Sequence, residues 1–336
     1  MANVPAPRPR VALPQIAAVS WEHPADRAAL QALRSVPGFD DVVRKLIAIL
    51  GGERGITLLF QGNAVRCGPN QFPTAHALQV EVCSTFDWPV VPELFVSQTP
   101  VFNAGAYGVD NPFIVVHSAA LELLNEDELR VLLSHEMGHV VSGHSLYRTI
   151  AEILLNVSLG ALPFLAGVAL LPIRLAILEW SRKSELSADR AGLLGSQDVM
   201  ASQQLFMKMA GGPRGAHPAG PMHLDPFMAQ ANEYLHSNEG LDLVYKILNT
   251  LALTHPMHTV RAAELQQWVA TGTYERILRG EYVRRGEDKT RPLGEDLRDA
   301  KDHYASEVRD VASKMASAAR KAAEKAGEAF KKAQQR

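Results

Sequence analysis

The chain has 336 residues, 47% of them apolar and 21% charged, and a formal net charge of −2. That length suits one large or two medium domains with a real core. A balance so near neutral excludes a general attraction to nucleic acid or anionic lipid and leaves only local basic surfaces for such partners. Cys67 and Cys83 cannot build a disulfide framework and lack metal-like spacing, so they read as idle thiols in a reducing compartment.

Residues 1–20 carry Pro5, Pro7, Pro9, Pro14 and arginines but no continuous apolar stretch. They lack the form of a secretory signal and predict a flexible arm on a cytoplasmic protein. Residues 21–90 read as a helical N-terminal segment. Ala28, Leu30 and Leu33, then Val42, Val43, Leu46, Ile47 and Leu50, recur at helical spacing, with PGFDD between two helices. ITLLF (56–60) is β-rich and predicts a short strand, followed by a helix over 74–85.

Residues 91–282 are the segment that carries the chemistry. PELFVS and NPFIVVHS read as strands, and VFNAGAYGVD between them as a third extended piece broken by glycines. NEDE at 125–128 has the form of a capping box, opening a long helix that continues through LRVLLSHEMGHVVSGH. EWSRKSELSADRAGLL is a second strong helix. Residues 211–227 form a Gly/Pro-rich loop, helices resume near Ala231, and the domain closes near Tyr282.

Residues 283–336 predict a long, charged amphipathic C-terminal helix. Its apolar positions advance by three, four and four, an 11-residue repeat that keeps a nearly straight stripe on one face. The helix begins acid-rich and ends basic. Three roles stay open: packing on the domain or on a second subunit, contact with an anionic membrane surface, or a lid over the active site.

HEMGH, His135 to His139, lies inside the first long helix. Residues four apart share a face, so His135 and His139 can reach one zinc ion. Glu136 is close enough to hold a metal-bound water and act as its base. Zinc then needs a third protein ligand. On a continuous helix His144 falls about half a turn out of phase with His135, and the metzincin spacing would need a histidine where the chain has Ser145. SELSAD on the second helix is the better source. Glu185 would complete a two-His, one-Glu site, and Asp189 would accept from the outer ring nitrogen of a zinc histidine.

HEMGH, SELSADRAG and THPMHTVRAAEL, preceded by VFNAGAYG, together resemble the zinc metallopeptidases of the HtpX and CAAX prenyl endopeptidase type, metallopeptidase family forty-eight, which are gluzincins. The resemblance spans about Pro92 to Gln267. It implies one Zn2+ per chain on His135, His139 and Glu185, with Glu136 as the catalytic base. It also implies His255 at the oxyanion, Arg261 holding the site's carboxylates, and Asn103 with Ala104 aligning an extended or unfolded polypeptide. His258 reads as incidental. The spanning helices of the membrane members are not visible here, and neither terminal segment has a counterpart in the family.

Ile153 to Ile173 is apolar except for Asn156 and Ser158. His139 precedes this run and Glu185 follows it, so a single crossing would leave these ligands of one ion on opposite sides of a membrane. Gly160, Pro163 and Gly167 suggest a bend, and each arm would rise only about 15–18 Å against an apolar core of roughly 30 Å. A hairpin buried in the protein or in a subunit contact, and a hairpin dipping into one leaflet, both remain.

The expected fold is α+β, mainly α: a gluzincin domain with a small sheet, a helical N-terminal segment and a long C-terminal helix. The expected function is a zinc metalloendopeptidase. Its partners would be polypeptide and no nucleic acid, with peripheral membrane contact through 153–173 or the basic tail, and a homo-oligomer, left open. Two rivals stand beside it: a catalytically silent zinc-holding adaptor that binds peptides, and a membrane-surface module with a latent protease domain.

Overall fold

The computed structural model describes residues 10–39, 41–43, 45, 52–108, 110–156, 164–212, 220–237 and 255–287. The described part is mainly helical around one four-stranded sheet. Helix α1 is Pro24–Arg34 and α2 is Gly52–Asn63, followed by strand β1, Ala64–Arg66, and helix α3, Pro73–Thr85. Strands β2 (Glu93–Ser97), β3 (Ala104–Tyr107) and β4 (Phe113–His117) come next, then the short α4 (Ser118–Leu123). Helices α5 (Glu126–Val141), α6 (Ser145–Asn156), α7 (Phe164–Ser196) and α8 (Val199–Gly211) follow. The described elements end with α9 (Leu224–His236), α10 (His258–Ala270) and α11 (Thr273–Leu278).

The strand order is β1-β2-β4-β3. β2 and β4 run parallel, and β1 and β3 flank them antiparallel. The central strands alternate between two cores, as the two-residue side-chain period requires. Phe95, Phe113 and Val115 meet Ile56 of α2, while Leu94, Val96, Ile114 and Val116 join the main core with α3 and α5.

ITLLF is helical, which corrects the expected strand. Ile56 and Phe60, four residues apart, face the sheet, and Leu58 between them is 49% exposed. A strand would have put all three on one face, so the sheet selects the helical period over the β-rich composition. Of the second expected N-terminal helix, Phe39 and residues 41–43 and 45 are described and helical; the rest lies outside the described residues.

Residues 10–20 are fixed to the domain, contrary to the expected free arm. Leu13 and Ile16 are fully buried, and Leu13 donates its amide to Thr85 at 2.8 Å. Ile16 pairs with Arg284, Ala17 N–H reaches the Val283 carbonyl at 2.9 Å, and Arg285 N–H reaches Gln15 at 2.6 Å. The proline-rich stretch before residue 10 and the tail from 288 lie outside the described residues.

The capping box forms as the sequence predicts: Asn125 Oδ1 accepts from Glu128 N–H at 2.9 Å, and Glu128 Oε2 accepts from Asn125 N–H at 2.9 Å. Glu128 also receives the buried ammonium of Lys208 from α8. The helix it starts is shorter than expected. Gly143, at φ +68°, turns the chain, and His144 N–H closes on the His139 carbonyl at 2.8 Å before α6 begins.

The apolar run divides between α6 and α7, and its middle, residues 157–163, lies outside the described residues. Leu154 and Ile173, near its two ends, are buried in a second core with Ala29, Leu33, Ile150, Ile177 and Trp180. Among the described residues, no helix is long and apolar enough to cross a membrane.

Candidate metal centre and active site

α5 and α7 make the most extensive contact between described elements. They approach closely because Gly138 meets Ala188 and Ala191; a methyl group at 138 would stand 2.4 Å from the Ala191 Cβ. This crossing brings His135 and His139 of α5 against Glu185 of α7. One donor atom from each of the three lies within 4.8 Å of the others, and all three residues are buried.

His135 Nε2 is 3.4 Å from Glu185 Oε2, and His139 Nε2 is 3.3 Å from Glu185 Oε1. A tetrahedral zinc ion with bonds of about 2.0–2.1 Å would have ligand–ligand edges of about 3.3 Å, which these two His–Glu distances match through the two oxygens of Glu185. Glu185 Oε2 is buried without a hydrogen bond. The positions between these donors already accommodate positive charge: Arg148 Nη1 lies 2.5 Å from Glu185 Oε1 and 2.9 Å from His139 Nε2.

Glu136 is 1% exposed beside the donors, and its Oε2 is buried without a hydrogen bond. Burial pushes its carboxyl upward, against the pull of Arg148 and His135. Burial would also raise Glu185, but the basic groups around it, His255, Arg148 and His135, hold it well below the ordinary carboxylate range.

Asp189 Oδ1 lies 3.0 Å from His135 Nδ1, the nitrogen away from Glu185. Arg261 of α10 grips the same carboxylate with two bonds of 2.8 and 2.6 Å, and its Nη1 is 3.4 Å from Glu185 Oε2. His255 Nε2 is 3.6 Å from Glu185 Oε1. Glu185 favours the charged form of this ring, but burial and the guanidinium groups of Arg148 and Arg261 outweigh it and bring His255 down to about 4. His258, at the start of α10, is not among the three donors.

A narrow cleft opens onto these groups, walled by Phe102, Asn103, Ala104, Leu132, Leu205 and Met209. β3 is the sheet edge here. The Asn103 carbonyl accepts from His117 N–H at 3.0 Å, so by antiparallel alternation the backbone groups of Ala104 and Ala106 point away from β4, Ala104 lining the cleft and Ala106 fully buried. Asn103 Oδ1 holds the Ala104 N–H at 2.9 Å. A larger cleft of about 580 Å³, near Arg54, Trp88, Val90 and Phe113, has no such set of donors.

The family model for Peptidase family M48 matches residues 69–269, more than half of the chain. The chain belongs to peptidase family M48. It is 33% identical over 266 residues to the plastoglobule-localized metallopeptidase 48, chloroplastic, of Arabidopsis thaliana, covering 77% of this chain and 75% of that protein. It is 35% identical over 68 residues to the protease HtpX of Shewanella pealeana, which is 20% of this chain and 24% of that one. No solved structure matches it.

The M48 chain is therefore a peptide hydrolase acting on polypeptide, with a metal-binding set in its core. Sequence reasoning misses two residues of this site. Arg148 gives no signal, since its approach depends on the turn at Gly143. The geometry of an unbroken helix sets His144 aside, yet its Nδ1 lies 3.1 Å from His139 Nδ1 because that helix ends first.

Proposed function

We propose that this M48 peptidase is a zinc-dependent endopeptidase that cleaves extended polypeptide. The observation that carries the reading is the convergence of His135, His139 and Glu185 around one point, with the Glu136 carboxyl buried beside it. His135, His139 and Glu185 would hold the ion through Nε2, Nε2 and the carboxylate. When bound, zinc would polarise the scissile carbonyl and lower the pKa of a water molecule.

Glu136 takes the proton of the attacking water and returns it to the leaving amine; its raised pKa suits both steps. The Ala104 carbonyl on the cleft side of β3 accepts from the substrate backbone, while Asn103 Oδ1 holds the Ala104 N–H and fixes that strand end. His255, uncharged at neutral pH, faces the charge that develops on the carbonyl oxygen. Arg261 keeps Asp189 and Glu185 ionised and in place.

The test is paired: zinc per chain by elemental analysis, and cleavage of unfolded casein, for the wild type and Glu136→Gln. About one zinc in each, with cleavage confined to the wild type, is expected. No zinc in either protein after reconstitution would overturn the proposal.

A further inference from the structure

Behind His139 stands a buried chain of hydrogen-bonding groups that ends in the N-terminal helix. His139 Nδ1 faces His144 Nδ1 at 3.1 Å, and His144 Nε2 faces Asp26 Oδ2 at 3.3 Å. Asp26, in the first turn of α1, also accepts from Ser187 Oγ of α7 at 2.6 Å. His139, Asp26, His144 and Ser187 are each at most 2% exposed. The segment matched by the family model begins at residue 69, so Asp26 comes from outside it.

The donors and acceptors along this chain admit one consistent assignment. An ionised carboxylate only accepts, so His144 must carry a proton on Nε2. Arg148 Nη1, which can only donate, lies 2.9 Å from His139 Nε2, so that atom holds a lone pair and the His139 proton sits on Nδ1. Two facing ring nitrogens can bond only if one holds the proton, so His144 presents a lone pair at Nδ1. The lone pair of His139 thus sits on Nε2, the atom facing Glu185. On His135 the outer nitrogen is held by a shorter route, with Asp189 accepting directly from its Nδ1. Trp180 packs edge-on against the His144 ring at 5.5 Å and steadies its plane.

We propose that Asp26, acting through His144, is a positioning residue that fixes the tautomer and orientation of His139 for the metal. This rests on the zinc reading above. Groups that orient a metal-bound histidine typically alter affinity by about 10–100-fold when removed.

The experiment measures zinc affinity by chelator competition for the wild type, Asp26→Leu, Asp26→Asn, His144→Leu and the Asp26→Leu/His144→Leu pair. Metal-free thermal unfolding of each protein is recorded alongside. Asp26→Leu should weaken binding about 10-fold or more, while Asp26→Asn, which keeps an acceptor oxygen, recovers most of the loss. In the His144→Leu background, Asp26→Leu should add nothing, an outcome that mere packing would not give. In the cobalt-substituted protein the exchangeable ring proton of His139 should broaden in Asp26→Leu, and that of His135 should not.

Zinc affinity within twofold of wild type in Asp26→Leu, or additive losses in the pair, would overturn the inference and leave the zinc reading intact. If Asp26→Leu does not fold, Asp26→Asn with affinity as poor as His144→Leu overturns it. No zinc on the wild type would overturn the zinc reading itself and this inference with it.

Discussion

Gly138→Ala tests whether the helix crossing sets the metal site. The new methyl would lie 2.4 Å from the Ala191 Cβ. Carbon atoms settle at about 3.5–4.0 Å, and neither methyl can rotate away, so α5 and α7 must separate by a little over 1 Å. Overpacking costs about 1–3 kcal/mol, and the helix preference for alanine over glycine offsets about 1 kcal/mol. The net loss of stability is thus modest, about 1 kcal/mol. The donor set is stricter. Two donors ride on α5 and one on α7, and metal–ligand distances tolerate only about 0.2 Å. Zinc affinity should fall about tenfold or more, equivalent to at least about 1.4 kcal/mol. Ala191→Gly in the same chain removes the opposing methyl and should restore most of it. Chelator competition and urea unfolding of the two single variants and the pair measure both effects. Wild-type affinity in Gly138→Ala would show that the crossing does not set the site.

Arg261→Met should lower the stability of the metal-free protein by up to about 3–5 kcal/mol, because buried Asp189 keeps only His135 as a partner. Arg261→Lys should recover only some of this, since an ammonium cannot reproduce the two-pronged grip; a loss below about 1 kcal/mol for Arg261→Met in urea would contradict this. Lys208→Met leaves Glu128 without its ammonium and should cost about 3–5 kcal/mol. Adding Glu128→Gln keeps an acceptor for Asn125 and should recover much of that, read as a shift in the urea midpoint. For pH, burial disfavours the His135 cation, but Glu185 and Asp189 outweigh it and push the ring up from 6.5 to about 9. The folded, metal-free protein therefore holds this proton to higher pH than the unfolded chain. The resulting stability is fully present below 6.5 and is lost as pH rises through about 9. Urea unfolding in chelator at pH values on either side should show the decline, and His135→Asn should flatten it.

The capping box, the three longer strands and the pairing of His135 with His139 are legible in the sequence because each depends on neighbours along the chain. Glu185 and Asp189 can be nominated from the helix and the family resemblance, but the closeness that lets them act comes from Gly138 against Ala191. Local reasoning fails where a distant element decides the outcome. ITLLF takes the helical period because the sheet offers a surface for Ile56 and Phe60. His144 is misplaced because one glycine at positive φ ends α5. Asp26 has no local mark of function: it is an ordinary first-turn acid until α1 packs on α7 and points it at His144.

The stitching of Gln15, Ile16 and Ala17 to Val283, Arg284 and Arg285 gives the described domain nearly the topology of a closed ring. Whatever precedes or follows these residues departs from neighbouring points, and the order of elements inside is indifferent to where the ring is cut. A circular permutant that links the two stitched ends and opens at the exposed turn over 69–71 would lose none of the metal donors, and Asp26 would still reach His144. The stitch also acts as a zipper. Tension applied to the two ends would first meet Arg10, bonded to the Ser196 carbonyl at the end of α7, and would then peel these few backbone bonds one after another.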